Sequence, residues 1–172
     1  PGALPLHGGP VVDPVVVGLF SAAFFAAELI LSPLFGPLSD RWGYHRVMQF
    51  GPLFGLVAVV MTGLTTDLTL LGVTRVLEGA STAASVPSIL GYIAIATAFA
   101  EHLRGKAVAR FEAATLAGIG VGLVAAGPMW TAIGPLAFFV NAAIYAGSLL
   151  IYRFGVTDPR SERTAASGDE LH

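Results

Sequence analysis

Two acids and a base stand where an apolar chain tolerates them poorly: Glu28, Arg75 and Glu78 lie inside long hydrophobic runs. A charge at membrane depth costs at least about 2.5–3.5 kcal/mol on insertion scales, so each needs a partner or a wet cavity. Arg75 and Glu78 are one helical turn apart, close enough to neutralise each other as a structural ion pair that fixes helix packing. Glu28 follows Ser21 by seven residues and precedes Ser32 by four, which puts all three on one helical face. A carboxyl in an apolar site favours its protonated form and can take up and release a proton near neutral pH. Its other use is as a neutral acid hydrogen-bonded to a neighbouring helix. A different polar group, Gly36 to Arg46 (GPLSDRWGYHR), interrupts the apolar chain with Asp40, Arg41, His45 and Arg46 and the glycines Gly36 and Gly43.

The elements that position these residues must suit a solvent other than water. Of 172 residues, 55% are hydrophobic and only 12% charged, with a mean hydropathy of +0.76. Soluble domains carry about a quarter charged residues. With no cysteine, disulfides, thiolate metal sites and cysteine nucleophiles are excluded. His7, His45, His102 and His172 are scattered without metal-ligand spacing, so no metal is expected. No H-x-x-x-H or G-x-S-x-G pattern is present, so neither catalytic residues nor a cofactor are expected, and an embedded enzyme is disfavoured. Basic patches interleaved with aromatics are absent, which argues against a nucleic-acid partner. The sequence begins at Pro1 without an initiator methionine or a basic leader, and the expectation is that a preceding piece is missing.

About 20 mostly apolar residues cross the hydrocarbon of a bilayer. The first span is expected at Val15–Phe35, after an extracytoplasmic segment 1–14, and Gly36–Arg46 reads as a tight surface loop. Val47–Thr66 is the second span, and Thr65-Thr66-Asp67 is the turn after it. The third runs from Leu68 to about Gly91 with an extension to Ala100, and Pro87 removes a backbone donor inside it. Glu101–Arg110 is expected to be a basic loop; Glu112, just beyond, reads as an interfacial acid. Ala113–Tyr152 has no charge over 40 residues and reads as two spans, divided around Gly127-Pro128 and Gly134-Pro135. Gly118, Gly122 and Ala126 repeat every four residues, the small-residue spacing that lets helices approach closely. Asn141, Tyr145 and Ser148 share one face of the last span, where they line a cavity or bond a neighbouring helix. The polar residues 156–172 have the character of a linker or tail. The result is an all-α polytopic membrane protein whose transmembrane domain covers 15–155.

Charge gives the orientation. Arg41, Arg46, Arg104, Lys106, Arg110, Arg153, Arg160 and Arg163 all fall on one side of five spans, and no Lys or Arg falls on the other. This bias places the basic side, including the tail, in the cytoplasm.

Gly36, Leu38, Asp40, Arg41, Gly43 and Arg46 resemble the loop between the second and third helices of major facilitator superfamily transporters, G-x-L-a-D-R/K-x-G-R/K-R/K; Tyr44 and His45 replace its usual basic residues. Arg75, Glu78 and Gly79 are similar to the fourth-helix pattern R-x-x-q-G of that family, with Glu78 in the glutamine's place. Gly127-Pro128 looks like the end of the fifth-helix pattern of the antiporter branch, although Gly118, Gly122 and Ala126 also suit a plain packing seam. The resemblance covers roughly residues 15–155 and implies helices two to six, an incomplete six-helix half of a twelve-helix carrier lacking its first helix and C-terminal half. It implies that Arg75 serves proton coupling or substrate contact. It implies that Asp40, with Arg41 and Arg46, is a conformational latch between halves, the alternative being a solvated turn. The function implied is proton-coupled efflux of small amphiphilic molecules through the plasma membrane by alternating access. A proton-coupled symporter for a sugar or organic acid, or a non-transporting structural membrane domain, are the competing readings.

Overall fold

Asp13 opens the first helix: its Oδ1 accepts the Val15 N–H at 2.8 Å, and Pro14, whose missing N–H costs nothing at a helix start, follows. The computed structural model describes residues 4–5 and 11–156. Helix α1, Pro14–Trp42, passes through Pro33 and Pro37 without ending. The expectation of a surface loop beginning at Gly36 is therefore corrected, because Gly36–Trp42 are the last turns of α1. The polar residues there are not all solvated: Ser39 is fully buried, with its Oγ 2.7 Å from the Phe35 carbonyl and 2.8 Å from Ser88 Oγ. The chain turns at Gly43 alone, whose φ of 93° suits a residue without a Cβ.

A short helix α2, Tyr44–Val47, leads into α3, Phe50–Leu64. Asp67 then caps α4, Leu68–Ala96, accepting the Thr69 and Leu70 N–H groups at 2.9 and 3.0 Å. Helix α5 covers Glu101–Ile133, so the basic loop expected at Glu101–Arg110 is in fact its first turns. The connection is only residues 97–100, and Arg104 reaches back over it to Thr97 Oγ1 and the Ala94 carbonyl, both at 3.4 Å. Long basic side chains can lie at an interface while their helix continues beneath them.

The break between the last two spans is at Gly134-Pro135, where Gly134 has a φ of 55°. Gly127-Pro128 makes no break and lies within α5. Proline removes one donor but imposes no left-handed backbone, whereas Gly134 does. Helix α6, Leu136–Leu150, ends in a π turn at Ile151–Gly155. A two-residue antiparallel ladder, β1 Leu4–Pro5 with β2 Val11–Val12, precedes α1. The rest of segment 1–14 before Val11, and residues 157–172 of the tail, lie outside the described residues.

Five stretches are long and apolar enough to cross a membrane: Pro14–Trp42, Tyr44–Leu64, Leu68–Ala96, Glu101–Ile133 and Leu136–Gly155. Helix α4 packs most extensively, against α1 and α3, while α3 also packs on α6. Many buried positions are small: Ala58, Ala83 and Ala84 are almost inaccessible, and Gly51, Gly55 and Gly79 are buried with them. In lipid the drive for helix association is close packing rather than escape from water, and small residues provide it. Many of the large apolar residues face outward, as Leu29 (77% exposed) and Val124 (78%) show, while Val47, Met48, Val59 and Leu71 are buried. Helix α5 has no buried residue among those described and touches α4 and α6 only lightly.

Candidate functional site

A polar stripe runs down one face of α4 through Glu78, Ser81, Ser85 and Ser88, at spacings of three, four and three residues. At its head, Arg75 grips Glu78 with both terminal nitrogens: Nη2 donates to Oε1 at 2.8 Å and Nη1 lies 2.7 Å from Oε2. The side chains are 30% and 17% exposed. Glu78 is ten residues into α4, about 15 Å along it at 1.5 Å per residue, or roughly half of a ~30 Å hydrocarbon layer. A two-pronged guanidinium–carboxylate contact satisfies both charges where water is scarce.

Tyr145 of α6 joins this pair from the other side of α3. Its hydroxyl lies near the Ser81 side chain, within electrostatic reach of Glu78 and Arg75. Ser81 Oγ donates to the Gly51 carbonyl of α3 at 2.6 Å. The Tyr145 ring lies against Gly55, where any side chain would overlap it. Three helices thus converge on one cluster of a cation, an acid, a phenol and a serine. Proton uptake by Glu78 would dissolve the ion pair and free Arg75 for an anion or another carboxylate.

Glu28 sits at the middle of α1, half-buried, beside a shallow cavity of about 460 Å³ with Phe25, Leu29, Ser32 and Pro33. The close crossing of α1 over Gly79 brings the Glu28 backbone against the residue that follows Glu78. Its carboxylate is not part of the Arg75–Glu78 pair; among the described residues it has no hydrogen bond or ion pair. Ser21 and Ser32, expected on the same polar face, direct their hydroxyls to the Val17 and Glu28 carbonyls of their own helix, at 3.1 and 2.7 Å.

Asn141 is exposed in a cleft of about 730 Å³ between α5 and α6, opposite Gly118 and Gly122. Nothing lies within 4 Å of where a Cβ would stand at Gly118, Gly122 or Gly127, so the described chain places no neighbour on that seam. The Pro128 carbonyl accepts the Thr131 hydroxyl at 2.9 Å.

At the basic end, the Tyr44 hydroxyl donates to Asp40 across the turn made by Gly43. The Tyr44 ring fills the space over Gly91 of α4. Arg41 and Arg46 are exposed, and Gly36 faces open space. His45 Nε2 lies 2.7 Å from the Tyr152 carbonyl, which ties α2 to the end of the last span. Among the described residues, no cluster of His, Asp or Glu could hold a metal ion.

The sequence reading did not find Ser81, the Ser39–Ser88 contact, the Gly51–Gly55 seat or the His45–Tyr152 bond. Two signals were available: the three-and-four spacing of serines after Glu78, and the four-residue spacing of Gly51 and Gly55, which has the same form as the repeat noted in α5.

Five apolar spans packed through small residues, with an ion pair at mid-depth, define a multi-pass α-helical integral membrane protein. The family model described as Major Facilitator Superfamily matches residues 4–171, and the chain belongs to that family, whose members are transporters rather than enzymes. It is 31% identical over 135 residues to the chromaffin granule amine transporter of Homo sapiens, covering 76% of this chain and 25% of that protein. It is 32% identical over 111 residues to multidrug resistance protein 2 of Bacillus subtilis strain 168 (64% of this chain, 27% of that protein). A triacylglyceride transporter of Mycolicibacterium smegmatis is 30% identical over 149 residues (84% and 25%). The chain spans about a quarter of the length of these relatives.

Proposed function

We propose that this chain is part of a proton-coupled exporter of small amphiphilic molecules that works by alternating access. The observation that carries this reading is the Arg75–Glu78 pair at mid-depth with Tyr145 beside it, a charge cluster that one proton can rearrange. The likeness to multidrug resistance proteins supports efflux. In this reading Glu28 and Glu78 carry protons, Arg75 responds to them, and Tyr145 and Asn141 face the substrate path. Gly36, Asp40, Arg41, Gly43 and Arg46 form the latch that favours one of two states. Gly118, Gly122, Gly127 and Pro128 provide a seam for helices from the rest of the carrier, its first helix and its C-terminal half. The basic ends and the tail lie in the cytoplasm, and the membrane is the plasma membrane.

The test is proton-driven efflux of a fluorescent cationic dye from vesicles holding the complete gene product, with Glu28→Gln and Arg75→Ala at matched expression. Efflux that requires a pH gradient and fails in both variants supports the proposal. Dye movement unaffected by either substitution removes the coupling roles. No dye movement in wild type removes the efflux reading.

A further inference from the structure

The basic end holds a pocket of which the transport reading uses Arg46 alone, as part of the latch. A cavity of about 480 Å³ opens between the start of α3 and the end of α6, lined by Arg46, Gln49, Phe50, Leu53, Leu149, Leu150 and Arg153. Its composition is divided. Two arginines and a glutamine provide donors, and Phe50, Leu53, Leu149 and Leu150 provide an unbroken apolar wall. Among the described residues, no acidic side chain lines it and neither arginine has an ion-pair partner. Arg153 leans on the Phe154 ring, 5.5 Å from its centroid, which holds the guanidinium at this end of the span. Gln49 donates its side-chain N–H to the His45 carbonyl at 3.0 Å, and His45 in turn meets the Tyr152 carbonyl. The two walls of the pocket are therefore tied together next to the arginines.

We propose that this pocket is a binding site for an anionic phospholipid, with the phosphate between Arg46 and Arg153 and an acyl chain along Phe50, Leu53, Leu149 and Leu150. Arginine suits phosphate because its planar fork presents several donors at once. A free phosphate ion would use the arginines but not the wall. The wall lies on α3 and α6 directly beside the two arginines, so a headgroup held by them would lay its acyl chain along it. The lipid would bridge two spans that are far apart in the chain, and so stabilise the contact between α3 and α6.

The experiment is native mass spectrometry of the full chain, released from detergent with either palmitoyl-oleoyl phosphatidylglycerol or the matching phosphatidylcholine. Wild type is expected to retain the anionic lipid preferentially. Near a membrane surface each arginine is worth about fivefold in affinity for anionic lipid, so Arg46→Gln with Arg153→Gln should lower retention roughly twenty-five-fold. The control removes the same charge elsewhere at this end, by Lys106→Gln with Arg110→Gln on α5, and should retain the lipid. Equal retention of the two lipids by wild type overturns the proposal without any variant. An equal loss in both double variants also overturns it, because diffuse surface charge would then suffice. Displacement of phosphatidylglycerol by millimolar inorganic phosphate overturns the lipid assignment in favour of a plain anion site.

Discussion

Glu78→Gln isolates the mid-depth ion pair. The substitution keeps the side chain's shape and removes its charge, leaving Arg75 cationic seven residues, or about 10 Å, inside α4. A lone charge at depth costs about 2.5–3.5 kcal/mol. Arg75 lies in the first half of α4 and can extend its guanidinium toward the interface, so the expected loss of stability is nearer to about 2 kcal/mol. Arg75→Gln strands the acid instead, but an acid can take a proton, and its expected loss is about 1 kcal/mol. In the double variant two neutral amides face each other at hydrogen-bonding distance. Its loss should not exceed that of Glu78→Gln alone, which makes the coupling between the two sites at least about 1 kcal/mol. The assay is unfolding of the chain in mixed micelles by added anionic detergent, followed by Trp42 and Trp130 fluorescence. If the two single losses simply add in the double variant, the pair is not coupled and Arg75 is satisfied by other groups.

Three further outcomes follow from the packing. Gly55→Leu should destabilise by about 1–3 kcal/mol because it displaces the Tyr145 ring, whereas Gly118→Ala, facing open space, should be neutral or stabilising by up to about 1 kcal/mol in the same unfolding assay. Gly43→Ala should cost about 1–2 kcal/mol, because a φ of 93° is hostile to a Cβ; thermal unfolding in detergent reports it, and an unchanged midpoint would contradict the assigned turn. Ser88→Ala should cost about 1 kcal/mol, and adding Ser39→Ala should cost little more, since the pair shares one contact at 2.8 Å; double-mutant unfolding measures this directly.

The spans themselves were legible because a bilayer sets a length that apolar runs must meet, and the turn read at Thr65-Thr66-Asp67 does separate two helices. Their ends were less legible, because polarity was read as solvation. Ser39 is polar yet buried, and Glu101–Arg110 is charged yet helical, so both segments belong to helices rather than loops. Small-residue spacing was equally ambiguous. Gly51 and Gly55 receive a neighbour while Gly118 and Gly122 do not, and only the arrangement of the other helices decides which. At the site, Arg75 and Glu78 were identifiable from their cost in an apolar setting. Ser81 was not, because a lone hydroxyl in a helix costs little and its partner, the Gly51 carbonyl, comes from α3.

The bond between His45 and the Tyr152 carbonyl joins residues 107 positions apart. During synthesis, α1, α3 and α4 enter the membrane early and can pack on one another at once through Gly79 and Gly51. The seat at Gly55 and the ring of His45 must wait until α6 has been translated. Docking of α6 therefore comes after the earlier spans have been made, and until then Gly55 lacks the Tyr145 ring that fills its place. Within these five spans, α6 acts as a clasp that ties the end of the series back to α2 and α3.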